Sequence, residues 1–110
     1  MRRENRRDRK ACCVPKVIIS RKAQRDFEEI YAFSVEFFGR NQAEIYAEMI
    51  HTKIQIIAEN PSFGTEYANV RDGVRRYECE SHAIYYEATA NGIRVLRILH
   101  GRMDPARHMT

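Results

Sequence analysis

The chain has no tryptophan, only three cysteines and three prolines, and no apolar run long enough to cross a bilayer. Each scarcity excludes something. Cys12 and Cys13 are adjacent and Cys79 stands far away, so the sequence offers neither a disulfide framework nor a metal-ligating cysteine spacing. Such usage fits a reducing compartment. Ala11–Val14 is too short for the apolar core of a signal peptide, and Pro15 and Lys16 follow at once. The expected location is the cytoplasm.

An excess of one charge sign is also missing from most of the chain. The formal net charge is +4, but residues 1–13 alone hold six basic and two acidic side chains. The other 97 residues carry 13 of each sign, so bulk attraction to phosphate is not the property of this domain. The leader admits three readings: a nucleic-acid arm, a disordered extension, or residues preceding a translation start at Val14. The disordered extension is the reading taken here, with residues 14–110 as one domain. A chain of 110 residues buries roughly two thirds of its unfolded surface, enough for one core without staples.

What is present is periodicity. Val14–Ser20 reads as a strand, and Ser20 as the N-cap of a helix. Ala23, Phe27, Ile30, Tyr31, Ser34, Phe37 and Phe38 recur at offsets of 3 and 4, and Gly39 ends the stripe. A second helix is expected from Asn41, with Glu44 completing a capping box. Its stripe runs through Ala43, Tyr46, Ala47, Ile50, Ile54, Ile57 and Ala58 to the stop at Pro61. Ile45, Met49 and Ile56 form a weaker stripe, either extra core width or a partner-facing surface. Pro61–Gly64 is a turn and Thr65–Gly73 a loop. Three strands follow, at Val74–Glu80, Ala83–Ala88 and Ile93–His100, with a type I′ turn expected at Asn91–Gly92. The predicted fold is two-layer α+β, in the order β-α-α-β-β-β, with an antiparallel sheet and a helical hairpin packed on one face.

The element order, with Ser20 and Ala23 opening the first helix and Pro61 and Gly64 closing the second, is similar to the RelE/ParE toxin superfamily. Three segments resemble its ParE branch in particular. They are Val74–Arg75–Arg76–Tyr77, Ser81–His82–Ala83–Ile84–Tyr85–Tyr86, and Ile98–Leu99–His100–Gly101–Arg102–Met103–Asp104 with Pro105, Arg107 and His108 beyond it. The likeness runs from about Val17 to Met109. It implies the toxin of a type II toxin–antitoxin pair, neutralised by a ParD-like antitoxin and acting by protein–protein binding on DNA gyrase. It implies no catalysis, cofactor or metal.

The alternative within the superfamily is a RelE-type, ribosome-dependent mRNA endonuclease. That chemistry needs a proton acceptor, cations for the phosphorane charge and an acid for the leaving oxygen. Arg75, His82 and Arg102 are the candidates, with Arg76, His100 and His108 nearby, but no lysine occurs after Lys53. His82 and His100 could also pair on a metal, although no third ligand has a suitable spacing. More plainly, His82, Arg102 and Asp104 tie off the end of the sheet. His51 reads as a surface position.

Successive strand residues face opposite ways, so Tyr85 and Tyr86 cannot both be core, nor Val95 with Leu96, nor Ile98 with Leu99. A sheet apolar on both faces with helices on only one leaves a face for a partner. Tyr85, Tyr86, Leu96, Ile98, Arg75, Arg76, His100 and Arg102 are the expected partner-binding residues. Neither a membrane nor a specific nucleic-acid sequence is an expected partner.

Overall fold

The computed structural model of the chain describes residues 15–67 and 72–100. The leader at 1–13, and Arg102, Asp104, Arg107 and His108 with the rest of 101–110, lie outside the described residues. The described chain runs β1 (Lys16–Ile19), α1 (Arg21–Phe38), α2 (Arg40–Glu59), a 3-10 turn (Pro61–Phe63), β2 (Thr65–Glu66), β3 (Val74–Cys79), β4 (His82–Thr89) and β5 (Gly92–His100). Five strands form one sheet in the order β1-β5-β4-β3-β2. The two-layer α+β fold is as expected, with two refinements. Part of the expected loop pairs with β3 as β2, and β1 joins β5 in parallel rather than antiparallel.

Local chemistry sets most boundaries. The Ser20 hydroxyl accepts from the Ala23 N–H at 3.0 Å and donates to the Leu96 carbonyl at 2.8 Å, so one side chain caps α1 and ties it to β5. Gly39, at φ 89°, turns the chain between the helices. The expected capping box does not form. α2 starts at Arg40 with Gly39 as its cap, and Glu44 instead accepts from the Tyr31 hydroxyl at 2.9 Å, joining the two helices.

The Asn91–Gly92 reading is also corrected. The loop between β4 and β5 is Ala90–Asn91, with Thr89 opposite Gly92, and neither Asn91 nor Gly92 has positive φ. Gly92 is needed for a different reason. A Cβ there would lie 1.8 Å from the Lys16 carbonyl oxygen, where β1 runs alongside. The positive φ falls on Glu80, at 58°, in the tight turn between β3 and β4.

The main core lies between the hairpin and the sheet. Ala23, Ile50, Ile54 and Ile57 meet Ile84, Tyr86, Ile93, Val95 and Ile98 there. Tyr86 is fully buried; its hydroxyl donates to the Pro61 carbonyl at 2.7 Å and accepts from the Gly64 N–H at 2.8 Å. That single phenol locks the chain leaving α2 onto the sheet. On the opposite face, Val74, Ala83, Tyr85 and Leu99 form a second buried cluster, flanked by Tyr67 and Leu96. The sheet is therefore apolar on both faces, as expected, but the second face is not open. Tyr85 is 3% exposed and Leu99 1%, and Tyr67 stands edge-on to Tyr85 at 5.5 Å.

Candidate partner-docking groove

Four of the most exposed apolar side chains gather at the joined end of the hairpin, whereas Phe63 stands apart in the turn after α2. Phe33, Phe37 and Phe38 at the end of α1 and Ile45 at the start of α2 are 55%, 61%, 65% and 62% exposed. Phe33 and Phe37 lie one turn apart with ring centroids at 4.4 Å. The stripe predicted to bury Phe37 and Phe38 is buried only as far as Ser34. Beside α1, from Asp26 to Phe38, a cavity of about 560 Å³ opens between the hairpin and the sheet. Its lining includes Ile30, Phe33 and Phe38 from α1, Tyr46 from α2, and His82 and Ile98 from the sheet. Apolar walls with a few polar groups at the base are the usual composition of a binding cleft.

Placement of α1 against β5 shapes one wall. β1 pairs with β5 only as far as Val95, and the Ser20 N–H still reaches the Val95 carbonyl at 3.0 Å. Past that point the first turns of α1 take over. Leu96 is the extra residue of a bulge, since Tyr85 stands opposite Arg97 and Tyr86 opposite Val95. Here Asp26 Oδ2 accepts from the Ile98 N–H at 3.0 Å and from Arg97 Nε at 2.7 Å, while Oδ1 accepts from Arg97 Nη2 at 2.9 Å. The pair is largely buried, and the bond from Asp26 holds the Arg97 pKa above its ordinary value. A carboxylate in the middle of an otherwise apolar helix face thus completes the edge of the strand.

The polar base of the groove is built on His82. His82 and His100 are direct partners across β4 and β5, with ring centroids at 5.4 Å and planes 78° apart. Tyr46 reaches down from α2, its hydroxyl 2.7 Å from His82 Nδ1 and 3.1 Å from the Cys79 carbonyl. The phenol has one hydrogen. Given to the carbonyl, it leaves the oxygen to accept from Nδ1–H, which puts the lone pair of neutral His82 on Nε2. Burial lowers the His82 pKa below the ordinary histidine value, and His100 lowers it further. Burial pushes the Tyr46 phenol up to about 12.

Among the other sequence-predicted residues, the structure brings together His82, His100 and Ile98 at the groove. Tyr86 belongs to the main core, and Tyr85 and Leu96 to the cluster on the opposite face. Arg75 is occupied: it donates to the Gly64 carbonyl at 2.6 Å and lies 3.6 Å from Glu66. Arg76 pairs with Glu78 at 3.0 Å. Arg102 lies outside the described residues. His51 is an exposed surface residue, edge-on to Phe27 at 6.0 Å. Sequence reasoning misses Phe33. Its available signal is an aromatic side chain off the core stripe of α1. Of the weaker α2 stripe, Met49 packs on the core and Ile45 stays outside. Among the described residues no group of three or more His, Cys, Asp or Glu side chains is arranged to hold a metal, and no helix is long and apolar enough to cross a membrane.

Comparison with known proteins places this arrangement. The family profile described as ParE toxin of type II toxin-antitoxin system, parDE, matches residues 17–105. Toxin ParE1 of Caulobacter vibrioides is 33% identical over 91 residues, covering 83% of this chain and 94% of that protein. Toxin ParE1 of Mycobacterium tuberculosis is 36% identical over 93 residues, covering 84% and 95%. A solved structure of the chromosomal ParDE TA system from P. aeruginosa superposes with a TM-score of 0.68 at 21% identity, over 79% of this chain and 96% of that one. The match therefore spans both helices and nearly all of the sheet, and the chain belongs to the ParE toxin family of type II toxin–antitoxin systems.

Proposed function

We propose that this toxin acts in the cytoplasm by binding and inhibiting DNA gyrase, and that a ParD-like antitoxin silences it by laying an apolar helical segment into the groove between the hairpin and β5. The observation that carries the docking half is the exposed Phe33, Phe37, Phe38 and Ile45 cluster beside an apolar cavity. Exposed aromatic side chains rimming a cleft are the common anchor points of helix-in-groove recognition. The similar solved structure is that of a ParDE system, which supports an antitoxin as the occupant.

Gyrase as the target rests on the ParE-like strands and on the state of the arginines. The endonuclease reading asks Arg75 to neutralise a phosphorane, yet its guanidinium is engaged in holding the turn after α2. A side chain that ties down its own fold is poorly placed to follow a reacting phosphate. Purified toxin added to a gyrase supercoiling reaction is expected to stop it near stoichiometric ratios. Preincubation with the small protein encoded beside the toxin gene is expected to restore supercoiling. Full supercoiling at excess toxin, together with cleavage of ribosome-bound mRNA that is lost in Arg75→Ala, would replace this reading with the nuclease one.

A further inference from the structure

The base of the groove holds a half-buried titratable group that docking chemistry alone does not need, His82. We propose that occupancy of the groove is linked to protons through His82: the site accepts its partner with this imidazole neutral, and acidification loosens the complex. The proposal rests on the docking reading given above and adds its regulation.

The geometry supplies the argument. His82 is half-buried at the base of a cavity whose walls are Ile30, Phe33 and Phe38. Among the described residues, the groups around His82 give a positive charge little support. From α2, Tyr46 offers a phenol that stays neutral across the physiological range. From β5 comes His100, a second imidazole that opposes a charge on the first. From β3 comes Cys79, whose thiol burial pushes up, so it also stays neutral. In the turn before His82 stand Glu80 and Ser81, both exposed, so solvent screens the Glu80 charge. On the α1 side, Asp26 is committed to Arg97 and the Ile98 N–H, and the charge of Glu29, which also lines the cavity, acts on Arg97. Lys53, on α2, lies over the Tyr77 ring at 5.6 Å and adds a further positive charge to this side of the core.

His82 is only half-buried, so an apolar segment seated in the groove would bury it more deeply. Deeper burial disfavours the charged imidazolium, so docking lowers the His82 pKa further. A group whose pKa falls on binding releases protons when the complex forms, and by linkage the complex weakens as pH falls through the free-state pKa. The limit for one group is about tenfold in affinity per pH unit. Above that pKa the affinity is flat.

Two measurements test the linkage, and they separate it from the docking reading. In the full-length toxin alone, NMR titration of the His82 imidazole is expected to give a midpoint below that of an unfolded histidine. The same titration on the complex should give a still lower midpoint, and a midpoint in the complex at or above that of the free toxin would overturn the linkage while leaving docking intact. Calorimetry with the purified protein encoded beside the toxin gene, at pH 7.5 and at one pH unit below the measured His82 midpoint, in two buffers of different ionisation enthalpy, is expected to show proton release and several-fold weaker binding at the lower pH. His82→Asn keeps an N–H at the Nδ1 position and cannot take up a proton, so it should bind with pH-independent affinity. Tyr46→Phe frees the ring without removing it, and should retain the pH dependence with a shifted midpoint. Tight binding that ignores pH in the wild type, or a pH dependence that persists in His82→Asn, would sink the linkage and leave docking intact. Failure to bind at either pH would overturn the docking reading and the linkage with it.

Discussion

At the scale of single residues, Asp26 and His82 show how polar groups hold places in an apolar layer. Asp26 answers three donors at once, two from Arg97 and one from the Ile98 backbone. Removing it leaves a largely buried guanidinium and a strand N–H without their acceptor. Asp26→Ala is expected to cost about 3–5 kcal/mol, which is a large part of the stability of a domain this small. Urea unfolding monitored by circular dichroism measures it directly. His82 sets a pH dependence whose sign follows from its lowered folded-state pKa. As pH falls, the unfolded chain takes up the proton first. The stabilising contribution is therefore complete above the unfolded histidine pKa of about 6.5 and is lost as pH falls toward the folded value. Denaturation midpoints at pH 7.5 and 5.5 should differ more in the wild type than in His82→Asn.

At the scale of elements, the fit between periodicity and structure is close wherever one face of an element meets the core. The α2 stripe from Ala43 to Ala58 is buried almost as read, and Ser20 caps α1. Periodicity misleads where the reason for a residue lies in another part of the chain. Gly92 reads as a turn glycine because Asn91 precedes it, but its role is set by β1, which lies far away in sequence. Gly92→Ala should therefore act on the β1–β5 pairing and cost about 3 kcal/mol, toward the upper end for an overpacked site. Hydrogen exchange slowed in β1 of the wild type should become fast in the variant. The groove is legible only in part. His82, His100 and Ile98 stand out as candidates, whereas Phe37 and Phe38 read as core because a helical stripe does not say where the layer beneath it ends. Phe33→Ser and Phe37→Ser are expected to change stability by less than about 0.5 kcal/mol, since both rings face solvent. The same changes should weaken antitoxin binding by more than about 1 kcal/mol, the range of an interface anchor.

At the scale of the whole molecule, the fold divides its two apolar sheet faces unequally. One is covered by the hairpin along most of its length and runs out into a groove under the phenylalanines of α1. The other is a small buried cluster around Tyr85 and Leu99. Among the described residues the exposed apolar surface is therefore concentrated at the end of the helical layer rather than across the back of the sheet, and it is there that the proposed docking seats the antitoxin. Hydrogen–deuterium exchange of the toxin, with and without the protein encoded beside its gene, reads this out most directly. The groove account predicts new protection in the second half of α1, the first turns of α2 and the end of β5. Protection confined to β2 and β3, with those three segments exchanging as in the free toxin, would contradict it.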